Sequence, residues 1–153
     1  MLTASPLKYL TLVAFGLTLA ACSSPVDPDS PEGKRQAAFK QILNHSEPMV
    51  GMLTGRLSFD GERFAEHAAQ LQALSDAPWE YFPSPGNSNQ PNAARPKIWS
   101  DPEGFSAAVD AYKATVEHLL AVTVEGVDSA DQVRGPMTEV QRACKSCHDA
   151  YRR

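Results

Sequence analysis

Cys144-Lys145-Ser146-Cys147-His148 lies within a stretch, Ser129 to Tyr151, in which Val133, Met137, Val140, Cys144, Cys147, His148 and Tyr151 recur at helical spacing. The pattern predicts a helix from Ser129 or Asp131 to the C-terminus, with Gly135-Pro136 as a kink. Cys-x-x-Cys-His is the attachment signature of c-type haem. Two thiols about one helical turn apart can add to the two haem vinyl groups, and the adjacent histidine turns beneath the ring to bind iron. A thioredoxin-like redox pair belongs at the start of a helix, where the helix N-terminus lowers a thiol pKa. This motif sits near a helix C-terminus. A zinc site needs further Cys or His ligands, and His45, His67 and His118 show no pairing at ligand spacing. One covalent haem c per chain is therefore expected, on Cys144 and Cys147, with His148 as the iron ligand.

Upstream of this stretch, the segment after Ser100-Asp101-Pro102-Glu103 carries Phe105, Val109, Tyr112, Val116, Leu119, Leu120 and Val124 on one helical face. Before it, six prolines between Pro78 and Pro102 forbid a regular helix, so a long crossover loop is expected. Its aromatic residues Trp79, Tyr81, Phe82 and Trp99 should pack over the helix ends. Phe64, Ala68, Leu71 and Leu74 mark another helix, opened by an Asp60-Gly61 turn and running to about Ser75. The first helix starts near Glu32 and shows Phe39, Ile42, Leu43, Met49, Val50 and Leu53, with Pro48 inside it to kink or end it. Four amphipathic segments without strand alternation predict an all-α, antiparallel four-helix bundle, with the long Pro-rich loop crossing between the second and third helices.

The N-terminal 21 residues place Lys8 before an apolar run from Tyr9 to Ala21, which reads as an export signal too short to span a bilayer comfortably. Leu19-Ala20-Ala21-Cys22 resembles a bacterial lipobox, so Cys22 is the expected lipidation site and residues 22–31, rich in Pro and Ser, a flexible tether. Periplasmic localisation on a lipid anchor follows, and Ser23 resembles outer-membrane sorting. With residues 1–21 removed, 13 basic residues face 18 acidic ones, without a basic stripe, which argues against nucleic acid as a partner.

Four pieces of the chain, taken together, resemble the cytochrome c′ family. They are Arg35-Gln36 with Phe39 and His45; Leu74 to Trp79 with Phe82; Arg95-Pro96-Lys97-Ile98-Trp99-Ser100-Asp101; and Cys144 to Arg152. The resemblance covers about residues 32–153. It implies a haem-bearing bundle in which Phe39 occupies the distal face and leaves the iron five-coordinate. It also implies Arg152 on the proximal side, returning to the face of His148, and a homodimer through the first two helices in many relatives. Arg35 then either meets a haem propionate or faces water, while Gln36, Trp79 and Tyr151 lie around the haem. Pro48 and Pro136 depart from the family pattern, since both fall where helix interior is expected.

An open apolar distal side suits nitric oxide and carbon monoxide, with electron transfer to an unidentified redox protein as a further capability. The alternative is a six-coordinate electron-transfer cytochrome. Only five residues follow His148, so a sixth ligand is expected from an earlier helix, as Met49 or Met52. Enzymatic chemistry would call for polar distal groups that handle protons, and none is evident near Phe39.

Overall fold

The computed structural model describes residues 25–84 and 91–153. The expected signal, Cys22 and the tip of the crossover at 85–90 lie outside the described residues. Four long helices, α1 (Pro31–Leu53), α2 (Gly61–Leu74), α4 (Pro102–Thr123) and α5 (Ala130–Tyr151), are joined by a crossover that contains a 3-10 turn (Trp79–Tyr81) and the short helix α3 (Lys97–Ser100).

Side chains just outside the helices fix where each begins. Ser30, Asp60 and Asp101 accept bonds from the backbone N–H of Gly33, Arg63 and Gly104, and Ser129 forms a capping box with Gln132. Asp27 to Ser30 folds back as a turn against the first residues of α1. Neither internal proline ends its helix, for α1 and α5 continue through Pro48 and Pro136. Each proline forfeits one backbone bond. The fully buried neighbours Met49 and Met137 supply the packing that offsets it.

Contacts between the helices give the topology. His45 meets His67 across α1 and α2, and Lys113 on α4 pairs with Asp76 just past the end of α2. Further along, His118 on α4 bonds Glu139 on α5, while Tyr151 reaches back to Asp101 at the start of α4. Arg134 on α5 bonds the carbonyl of Leu53 at the end of α1. Neighbours in the ring α1, α2, α4, α5 therefore run antiparallel. One end of the bundle holds the crossover and the C-terminus, and the other holds the two short loops.

The core is one cluster built from Ile42, Met49, Met52, Phe64, Ala68, Leu71, Tyr112, Val116, Leu119, Val133, Met137 and Val140. Leu43 and Val124, expected on apolar faces, are instead 51% and 68% exposed. Leu43 lies a 100° step from buried Ile42 on the outer side of α1, and Val124 is already the C-cap of α4.

At the loop end, a Cβ on Gly61 would overlap the carbonyl of Val127. Gly61→Ala is expected to cost about 1–3 kcal/mol, because backbone must move to admit the methyl group. A lowered urea midpoint with an unchanged slope would register it; an unchanged midpoint would mean that the loop yields freely.

Candidate haem site

Residues of the C-terminal motif lie on the last two turns of α5, at the crossover end of the bundle. Cys144 and Cys147 are free and half-buried, and Cys144 packs against the core. Burial raises both thiol pKa values, and for Cys144 the neighbouring Cys147 adds to the rise. His148 lies at the exposed edge; its imidazole is held below the usual range, first by desolvation and then by the charge of Arg152, against the opposing pull of Asp149. Its neutral form, the one that ligates iron, is thereby favoured.

An aromatic cluster leads from these thiols to α1. Trp79 is its hub, meeting Phe39 at 5.6 Å, Tyr112 at 6.0 Å and Phe105 at 6.2 Å edge-on, and stacking on Phe82 at 6.4 Å. Its indole N–H donates to the Ser75 carbonyl at 2.6 Å, which fixes the ring at the end of α2. Tyr112 lies beside Cys144, and burial first and Cys144 second push its phenol pKa upward. Phe105 continues the cluster to Tyr151 at 5.3 Å. Of the crossover aromatics, Trp79 and Phe82 thus pack over the helix ends as the sequence suggests.

Axial register places Phe39 relative to the motif. From the Arg134 to Leu53 bond, His148 lies fourteen residues along α5 and Phe39 fourteen residues back along α1. Both steps are about 21 Å on ideal helices, so Phe39 and His148 share a level to within about one turn. Met49 and Met52 sit about 15 and 20 Å lower on the same scale, both buried in the core toward the loop end.

Of the two readings of Arg35 the structure excludes one, and Gln36 and Arg152 stand differently from the sequence reading. Arg35 does not face water, being 6% exposed. It donates to the carbonyl of Tyr81 and, at 2.9 Å, to Oδ1 of Asn92, and its guanidinium lies 4.5 Å from the centre of the Phe82 ring. It ties α1 to both described flanks of the crossover. Gln36, one 100° step around α1 from Arg35, is exposed and makes no part of the cluster. Arg152 does not return to the helix face of His148. It is the C-cap of α5 with extended backbone, drawn out of the helix by a bridge to Ala94 and by the bonds from Arg95 N to Tyr151 O and from Arg153 N to Ala93 O. Its charge is still felt by His148.

Tyr151 is buried and donates its hydroxyl to Asp101 Oδ2 at 3.2 Å, while Oδ1 of the same carboxylate caps α4. Tyr112, Phe105 and Asn92 are site residues that sequence reasoning did not single out. The first two were legible only as helix-face residues, and Asn92 carried no signal within the loop.

These residues fit a covalently held haem. The donor set is two free thiols and an imidazole on adjacent turns of one helix. An aromatic cluster lies beside it, and the Tyr112 hydroxyl next to Cys144 is buried without a partner.

Comparison with known proteins agrees with the geometry. The family model described as Cytochrome C′ matches residues 31–152. Cytochrome c′ of Rubrivivax gelatinosus is 36% identical over 118 residues, covering 77% of this chain and 90% of the relative. Its crystal structure matches with TM-score 0.73 and 32% identity over 82% of this chain and 98% of the other. Cytochrome c prime from Shewanella frigidimarina matches with TM-score 0.75 and 28% identity, covering 83% and 97% of the two chains. A nitric oxide complex of a variant of cytochrome c prime from Alcaligenes xylosoxidans matches with TM-score 0.70 and 30% identity over 82% and 98%. A carbon monoxide complex of another variant of that protein gives TM-score 0.71 and 30% identity over 83% and 97%. With the fold, the donor set and the match over all four long helices in agreement, the chain belongs to the cytochrome c′ family, periplasmic and non-enzymatic proteins that carry one covalent c-type haem.

Proposed function

We propose that this protein binds nitric oxide and carbon monoxide at a five-coordinate haem iron held by His148, with Phe39 over the distal side, while anchored to the envelope through lipid on Cys22. The observation that carries the reading is the common level of Phe39 and His148, with Met49 and Met52 buried far down the same helix. Haem, when bound through Cys144 and Cys147, supplies an iron centre with affinity for neutral diatomic gases. The protein's own residues decide what reaches it. Phe39, braced edge-on by Trp79, is an apolar wall that offers no hydrogen bond, so it disfavours ligands that need one. Arg35 holds the crossover aromatics in place through Tyr81 and Asn92. Arg152 contributes positive charge beside His148.

Electron transfer through the same haem is a further capability, and exposed Leu43 on the outer side of α1 suits a homodimer through α1 and α2. Lipid labelling lost in Cys22→Ser would test the anchor.

Optical spectra of the purified protein, oxidised and reduced, with and without each gas, test the central reading. A high-spin spectrum that shifts on gas addition is expected, with Phe39→Ala raising carbon monoxide affinity about tenfold or more. Met49→Leu and Met52→Leu should leave the spectrum unchanged. A low-spin reduced spectrum unmoved by gas, converted to high-spin by either methionine variant, would replace this reading with a six-coordinate electron carrier.

A further inference from the structure

Outside the haem region, α1 and α2 bring two imidazoles together that lie 22 residues apart in sequence. The Nδ1 atoms of His45 and His67 are 3.2 Å apart, with ring centroids at 5.4 Å and the planes tilted by 57°. Both side chains are half-buried, so each is held by its helix yet reachable from solvent. Their separation along the chain matches no ligand spacing, so the sequence alone assigns them no ligand role. Their proximity arises from the antiparallel packing of α1 on α2.

We infer that His45 and His67 form a two-histidine site for a borderline divalent cation of the zinc type. Two Zn–N bonds of about 2.0–2.1 Å at a tetrahedral angle hold their nitrogens about 3.3–3.4 Å apart, close to the spacing found here. A linear arrangement would need about 4.0 Å or more and does not fit, and two imidazole donors suit an ion of the zinc type. In the metal-free protein one ring donates Nδ1–H and the other accepts. On binding, the donor ring moves its proton from Nδ1 to Nε2, leaving two neutral imidazoles with both Nδ1 lone pairs on the metal. No proton is lost from the pair.

Charge around the pair is mixed. Arg63 lies one turn before His67 and opposes a cation, and Glu66 beside it favours one. His67 is held below the usual imidazole range, first by burial, then by His45 and Arg63, which keeps it unprotonated and available near neutral pH. Among the described residues no group of three or more His, Cys, Asp or Glu is placed to hold a metal. Water therefore completes the coordination, and the site is one of modest affinity.

The inference is independent of the gas-binding reading. Calorimetric titration of zinc chloride into the haem-loaded protein tests it, since haem then occupies Cys144, Cys147 and His148. One saturable site is expected, weakened about tenfold or more in His45→Gln and in His67→Gln, since even lost outer-shell partners cost 10 to 100-fold in metal affinity. Binding should also weaken on acidification through the imidazole range. Zinc should raise the thermal midpoint of the parent and not of either variant, both of which keep a polar side chain of similar length. His118→Gln, which removes the other paired histidine, facing Glu139, should bind zinc like the parent. Absence of a saturable site, or one that survives both His45→Gln and His67→Gln and is lost in His118→Gln, would overturn the assignment.

Discussion

Replacing both Cys144 and Cys147 by Ser is expected to abolish covalent haem altogether, leaving a chain that loses all haem absorbance on a denaturing gel. Those two sulfurs are the proposed thioether attachment points, and there is no other free thiol among the described residues. Each single variant should keep one bond and a fraction of the haem. The two singles are not equivalent, because Cys144 packs against the core and beside Tyr112, whereas Cys147 lies nearer the edge of α5. Cys144→Ser should therefore also disturb packing and lower the thermal midpoint more than Cys147→Ser. Haem staining after expression with the attachment machinery gives the first result, and calorimetry of the singles the second. Full covalent haem in the double variant would mean that attachment runs through other atoms.

Arg35→Ala is expected to lower stability by about 3 kcal/mol or more. Three separate groups depend on the guanidinium: the Tyr81 carbonyl, the Asn92 side chain and the face of Phe82. Removing it takes a donor from the part-buried Tyr81 carbonyl and frees Asn92, whose Oδ1 keeps only the Ala94 N–H. It also strips the nearby cation from Glu32, which is 1% exposed with Oε2 unpartnered, and an uncompensated buried charge is costly. The loss should reach the aromatic cluster, because Phe82 stacks on Trp79. Denaturant unfolding followed by tryptophan fluorescence would measure it, and Arg35→Lys should recover only part, since an ammonium cannot reach two acceptors in the same fork. A cost below about 1 kcal/mol would show that the crossover is held mainly by its own aromatic contacts.

Much of this architecture is legible in the chain. The apolar stripes gave four helices because period and burial coincide, and Asp60, Asp101 and Ser129 mark helix starts because a side-chain oxygen there meets otherwise unpaired N–H groups. Pro48 and Pro136 stay within their helices, as the expected spans allow, with buried Met49 and Met137 beside them. Where a local rule misled, a nonlocal contact had prevailed. Arg152 leaves the helix because strand-like pairing with residues 93–95 competes for its backbone.

The proposed haem-binding role of Cys144, Cys147 and His148 needs no tertiary information, since it depends on spacing within two turns of one helix. That local order, the helix caps and the four apolar faces are what the sequence by itself determined. Tertiary structure alone decided that Phe39 stands level with His148, that Arg35 is buried beneath the crossover, and that His45 meets His67. Periodicity tells which face of a helix turns inward; it carries no information about how far one helix slides along another. That axial register is set only when loops and side chains of all four helices pack together.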